Sequence, residues 1–131
     1  MNAFLARRPH LASYDCVIAV PLDSRRRLER EFNQSEILAA MARKTLGKRS
    51  AGAVFKKCPT VPQSLLGREA RKLNLDRAFR IPHPRQVRGR SVLLVDDIFT
   101  TGATLQEAAG ALKGAGVSRV GFLVIARTMP H

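Results

Sequence analysis

Apolar residues along the chain gather in short unbroken runs, separated by stretches with helical spacing or with no sustained period. Residues 16–21 (CVIAVP) are apolar, rich in β-branched side chains and closed by proline, which predicts a buried strand. The charged stretch DSRRRLEREFNQ follows. Over residues 35–46 the apolar positions Ile37, Leu38, Met41, Ala42 and Leu46 have the spacing of a helix, capped by Asn33 or Ser35 and stopped by Gly47. AVFKK (53–57) predicts a second strand. Residues 58–90 then carry four prolines and eight basic residues with no period, a length that in a compact domain signals a functional or disordered loop. A strand is expected at 91–95, a helix at 105–113 ended by Gly114 and Gly116, and a last buried strand at 120–126. Strands apolar on both faces, alternating with helices, imply an α/β fold with a parallel sheet flanked by helices.

Composition narrows the function classes. The 131 residues favour one domain. No apolar run approaches the ~18 residues that span a bilayer. MNAFLARRPHLASYD lacks the apolar core of a signal peptide, so a cytoplasmic protein is expected. Few aromatics and no Trp argue against single-strand binding by base stacking. Cys16 and Cys58 lie far apart and read as buried reduced thiols. His10 and His83 sit beside prolines and His131 ends the chain, without metal-ligand spacing.

Charge says more. Lysine and arginine total 23 against 10 acids, a net charge of +13. Residues 1–90 hold 20 basic and 7 acidic residues, whereas residues 91–131 hold three of each. So basic a segment attracts polyanions: nucleic acid, an acidic membrane surface or a phosphate-rich small molecule.

The chemistry concentrates in VLLVDDIFTTGATLQEA (92–108). Asp96 and Asp97 are expected at the carboxyl end of the strand at 91–95, where ligands of open α/β sheets bind. Thr100, Thr101, Gly102, Ala103 and Thr104 supply small side chains, hydroxyls and a close-approach glycine just before a helix, whose free N–H groups and positive pole favour a phosphate. Carboxylates beside such a cradle accept hydrogen bonds from sugar hydroxyls. The arrangement describes a sugar phosphate lying across a strand–loop–helix junction. Capping of a turn needs only one Asp. A receiver domain would need a later phosphoacceptor Asp, which is missing after Asp97, and a Walker loop needs Gly-Lys-Ser/Thr.

VLLVDDIFTTGAT resembles the signature of type I phosphoribosyltransferases, which bind 5-phosphoribosyl-1-pyrophosphate (PRPP). More narrowly, VPLDSRRRLEREFNQSEILA, PQSLLGREARKLNLDRAF and VIARTMP resemble the ComF family of competence-associated, phosphoribosyltransferase-like proteins. The resemblance implies a Rossmann-like phosphoribosyltransferase fold over 16–131, with residues 1–15 an N-terminal extension and 58–80 a flexible hood. It implies that Asp96 and Asp97 hold the ribose hydroxyls and that residues 100–104 hold the 5′-phosphate. The turn carrying Asp23, Ser24, Arg25 and Arg26, with Arg27 and Arg30 nearby, falls where the family has its pyrophosphate loop. Gln63, Ser64 and Asn74 belong to the hood; Arg68, Arg71 and Lys72 are its candidate catalytic cations, Arg71 foremost. Mg²⁺ is implied as a companion of PRPP with no direct protein ligand. The family's cysteine-rich zinc segment would precede this sequence, so no zinc is expected. Asp23 stands where the family commonly has His, and Glu31 where it has Gly.

The implied reaction is displacement of pyrophosphate from C1 of the ribose by a nitrogen nucleophile. Thr100 occupies the position at which purine-salvage relatives carry a proton-accepting acid. A neutral amine such as ammonia is therefore the expected acceptor. A non-catalytic accessory that senses PRPP, or binds DNA through residues 1–90, is the alternative. A homodimer and a protein of the competence machinery are the remaining expected partners.

Overall fold

The computed structural model describes residues 2–21, 34–48, 55–57, 79–99 and 102–127. Its centre is a three-stranded parallel sheet of β1 (Cys16–Ala19), β4 (Ser91–Phe99) and β5 (Arg119–Arg127), with β4 in the middle. The registers are Cys16 opposite Val92 and Ser91 opposite Arg119. Two short strands, β2 (Lys56–Lys57) and β3 (Phe79–Arg80), form a separate antiparallel ribbon. The strand expected at 53–57 is thus two residues long and lies outside the parallel sheet. Its neighbour Phe55 meets Phe79 edge-on, with ring centroids 6.0 Å apart.

Alternation along β1 and β4 sends successive side chains to opposite faces. Ile18, Val92 and Leu94 pack with Leu105, Ala108 and Leu112 of helix α3 (Ala103–Gly114). Val17, Leu93 and Val95 pack on the other face with Ala39 and Ala42 of helix α2 (Gln34–Leu46). The residues of α2 turned to the sheet are Ser35, Ala39 and Ala42, spaced by four and three, while Ile37 and Met41 are 46% and 44% exposed. Small side chains let the helix lie close to the strands, and Arg43 ties it down by donating to Val17 O (3.1 Å), while its other nitrogen donates within the helix to Glu36 Oε1 (2.8 Å). Ser35 is not the helix cap, because the helix already includes Gln34; Asn33, the other expected cap, lies outside the described residues.

The residues ahead of β1 dock on the α2 face. Leu5, on helix α1 (Asn2–Ala6), and Leu11, in a 3-10 turn (Pro9–Ser13), are both buried there. Tyr14 lies against Gly121 of β5 so closely that a Cβ at that position would overlap its ring. Within the expected loop of 58–90, Phe79 and Val87 belong to the core. Cys16 is buried with a free thiol; Cys58 lies outside the described residues. No helix among the described residues is long and apolar enough to cross a membrane.

Candidate functional site

β4 runs four residues past its expected end at Val95. Asp96 pairs with Val124, Ile98 with Ala126 and Phe99 with Arg127, so the acidic pair sits within the ladder. Asp residues are poor strand formers in isolation, but β5 alongside supplies the pairing that holds them extended. The helix after the motif begins at Ala103 instead of Leu105. Gly102 turns the chain between strand and helix with φ 81° and ψ 1°, a left-handed conformation that glycine adopts without steric cost. It is the cap of α3, and as glycine it brings no side chain to the helix mouth. No acid occupies the first turn to offset its positive pole.

Asp96 is only 8% exposed. Its Oδ1 accepts the Ser35 hydroxyl of α2 at 3.0 Å and the backbone N–H of Asp97 at 2.9 Å. Burial pushes its carboxyl above the ordinary range; the Ser35 hydroxyl opposes that shift, and the neighbouring Asp97 adds to it. Asp97 is half-buried. The junction therefore has two unlike carboxylates, one held inside by internal donors and one nearer the surface.

Of the residues singled out from sequence, the structure brings Asp96, Asp97, Gly102, Ala103 and Thr104 to one strand–helix junction, Thr104 half-buried in the first turn. Thr100, Thr101, Asp23, Ser24, Arg25, Arg26, Gln63, Ser64, Arg68, Arg71, Lys72 and Asn74 lie outside the described residues, as do Arg27 and Arg30. Ser35 is the participant that the sequence reading missed. It heads the Ser35–Ala39–Ala42 stripe that the fold turns to the sheet, a stripe the spacing of Ile37 and Met41 does not single out. A groove of about 580 Å³ opens beside the helix mouth, lined by Gly102, Leu105, Gln106, Phe122, Val124, Ile125 and Ala126. Neither acid lines it.

The phosphoribosyl transferase domain model matches residues 34–130, most of the chain and all of this junction. The chain belongs to the phosphoribosyl transferase domain family. Its parallel sheet with flanking helices is accordingly the phosphoribosyltransferase fold. A solved structure of the allosteric regulatory enzyme of purine biosynthesis superposes with a TM-score of 0.60 at 20% identity, covering 90% of this chain and 23% of that one. Among curated relatives, the DNA utilization protein YhgH of Escherichia coli O6:H1 is 39% identical over 116 residues, and competence protein F of Haemophilus influenzae is 32% identical over 125. Those alignments cover 88% and 93% of this chain but 50% and 55% of the relatives, so the chain spans about half their length. The ComF-like character read from VPLDSRRRLEREFNQSEILA, PQSLLGREARKLNLDRAF and VIARTMP is borne out by this kinship.

Proposed function

We propose that this member of the family binds PRPP at the β4–α3 junction and transfers its phosphoribosyl group to a small neutral amine, releasing pyrophosphate. The observation that carries the reading is the placement of Asp96 and Asp97 on β4, the strand that precedes the helix mouth at Gly102. Carboxylates accept from ribose hydroxyls, and the N–H groups at that mouth suit the 5′-phosphate. In the transition state C1 gains positive charge while pyrophosphate gains negative charge. The chain's part is to fix the sugar and to leave room for the nucleophile. Mg²⁺ would arrive on the substrate and keep several waters, favoured by the charge of Asp96 and Asp97 without their being direct ligands. When bound, the ion would neutralise charge on the leaving pyrophosphate. Arg68, Arg71 and Lys72 are proposed to do the same from the chain's side, and Arg25 and Arg26 to meet the pyrophosphate.

Calorimetry with PRPP and Mg²⁺ tests the reading. Micromolar to submillimolar binding is expected, abolished by Asp96→Asn with Asp97→Asn. A parent chain that does not bind PRPP overturns it. A screen of amines with pyrophosphate release as readout then tests transfer.

A second reading, contact with nucleic acid, is favoured by the exposed cations Arg88, Arg90, Lys113 and Arg119 near the amino ends of β4 and β5. Relatives named for DNA utilization and competence point the same way. The two activities use opposite ends of the sheet and are compatible in one molecule.

A further inference from the structure

Ser35 is 3% exposed, and Ser35, Ser91 and Asp96 are the buried polar or charged residues among those described. Ser91 has an evident structural task at the amino end of β4, where it is bonded to Asp15. Ser35 sits at the other end of that strand. Alanine there would complete the Ala39–Ala42 stripe, so close packing on the sheet does not by itself call for a hydroxyl. The hydroxyl donates to Asp96 Oδ1, which also accepts the Asp97 N–H. One backbone donor leaves the last torsion of an aspartate soft, since sp³–sp² torsions have broad minima. A second donor from a separate element, converging on the same oxygen, fixes the plane of the carboxylate. Oδ2 takes neither of these donors, and the Asp97 side chain stands against the same carboxyl.

We propose that Ser35 is a positioning residue of the sugar site: its hydroxyl clamps Asp96 by Oδ1 so that Oδ2 meets the ribose diol in one orientation. The inference rests on the sugar-phosphate reading above and adds to it how the site recognises a ribose. A carboxylate fixed this way discriminates between a sugar with both hydroxyls and one lacking the 2′-hydroxyl, because the analogue leaves a desolvated acceptor without its donor. A carboxylate free to turn can follow whichever hydroxyl remains. Loss of the Ser35 clamp should therefore erode selectivity more than overall binding of phosphate.

The experiment compares dissociation constants of the full chain for ribose 5-phosphate, 2-deoxyribose 5-phosphate and inorganic phosphate, with melting temperatures measured alongside. The parent is expected to prefer the ribose compound at least about tenfold. Ser35→Ala should cut that preference at least fivefold and leave the affinity for inorganic phosphate unchanged. Ser35→Thr, which restores a hydroxyl, should recover it. Ser35→Cys, nearly the same size with a weak donor, should fall between and serves if the alanine variant does not fold. A parent that prefers the ribose compound, with Ser35→Ala or Ser35→Cys keeping that preference in full, overturns the role of Ser35 alone. A parent that binds neither sugar phosphate, or shows no preference, overturns the sugar reading and this inference with it.

Discussion

Burial of Asp96 removes hydration that the Ser35 hydroxyl and the Asp97 amide only partly replace. Its carboxyl is consequently held above the ordinary range. A folded-state value above the unfolded one gives a contribution that is fully favourable below the unfolded carboxyl range near pH 4 and is lost as pH rises through the folded value. At pH 7 the ionised group is a liability to stability. Asp96→Asn keeps an acceptor at Oδ1 for both internal donors and removes the charge. It should raise Tm at pH 7 by about 3 °C, with the gain shrinking toward pH 4, while weakening PRPP binding at least about tenfold. Thermal scans from pH 4 to 8 beside calorimetry check both halves; a lower Tm at neutral pH contradicts the account. The acidic pair was legible in the sequence because its members are adjacent and end an apolar run. Ser35 was not, because its partner stands 61 residues away and only the fold joins them.

Elements were legible where periodicity was strong, and their limits were not. The helix at 103–114 begins two residues before its first apolar anchor, since Gly102 starts the turn by conformation and not by hydrophobicity. In α2 two stripes compete. Ile37 and Met41 gave the helical spacing, yet the sheet selected the stripe of small residues because close approach buries more of β1 and β4. At the amino end of the sheet, β1 is joined to β4 by a clasp that no local pattern reveals. Ser91 N and Oγ donate to Asp15 Oδ2 at 2.9 and 3.1 Å, and Asp15 N returns a bond to Ser91 O at 3.0 Å. The backbone N–H of Ser91, then its hydroxyl, hold the Asp15 carboxyl below its ordinary range; Lys48 and Arg90 add to the effect. A depressed folded value means stability that is present above the unfolded carboxyl range and lost as pH falls through the folded value. Asp15→Ala should lower Tm by several degrees at pH 7, and the gap to the parent should begin to narrow near pH 4 and close only below the depressed folded value. Parallel melts at pH 7 and pH 3.5 decide; a gap that persists undiminished in acid would assign the clasp to packing instead of charge.

At the scale of the whole molecule the two ends of the sheet differ in their charges, although Asp15 stands among the cations of the amino end and Arg127 closes β5 at the carboxyl end. Asp96 and Asp97 stand toward the carboxyl ends, with Glu36 in the first turn of α2, whose Ser35 reaches Asp96. Arg90 precedes β4, Arg119 opens β5 and Lys113 closes α3, while Gly89 N bonds to Gly116 O and Ser118 N to Arg90 O, gathering both connections at the amino end. The sequence located the positive excess upstream of residue 91. The fold adds Lys113 and Arg119 to it from the half of the chain that is neutral by count. Arg119 is already engaged, 4.3 Å over the Tyr14 ring and bonded to Ser13 Oγ, so Arg88, Arg90 and Lys113 are the cations to test. Each contact with a phosphate of duplex DNA steepens the dependence of log K on log salt by about 0.9. Replacing the three with glutamine should therefore flatten that slope by about 2 to 3 units, with the PRPP dissociation constant unchanged. Fluorescence anisotropy of a labelled duplex across a salt series measures the slope. PRPP added with Mg²⁺ should leave the duplex bound, because the proposed sugar site lies at the other end of the sheet. Displacement by PRPP would put DNA across the carboxyl ends, and an unchanged slope would remove the amino-end cations from the interface.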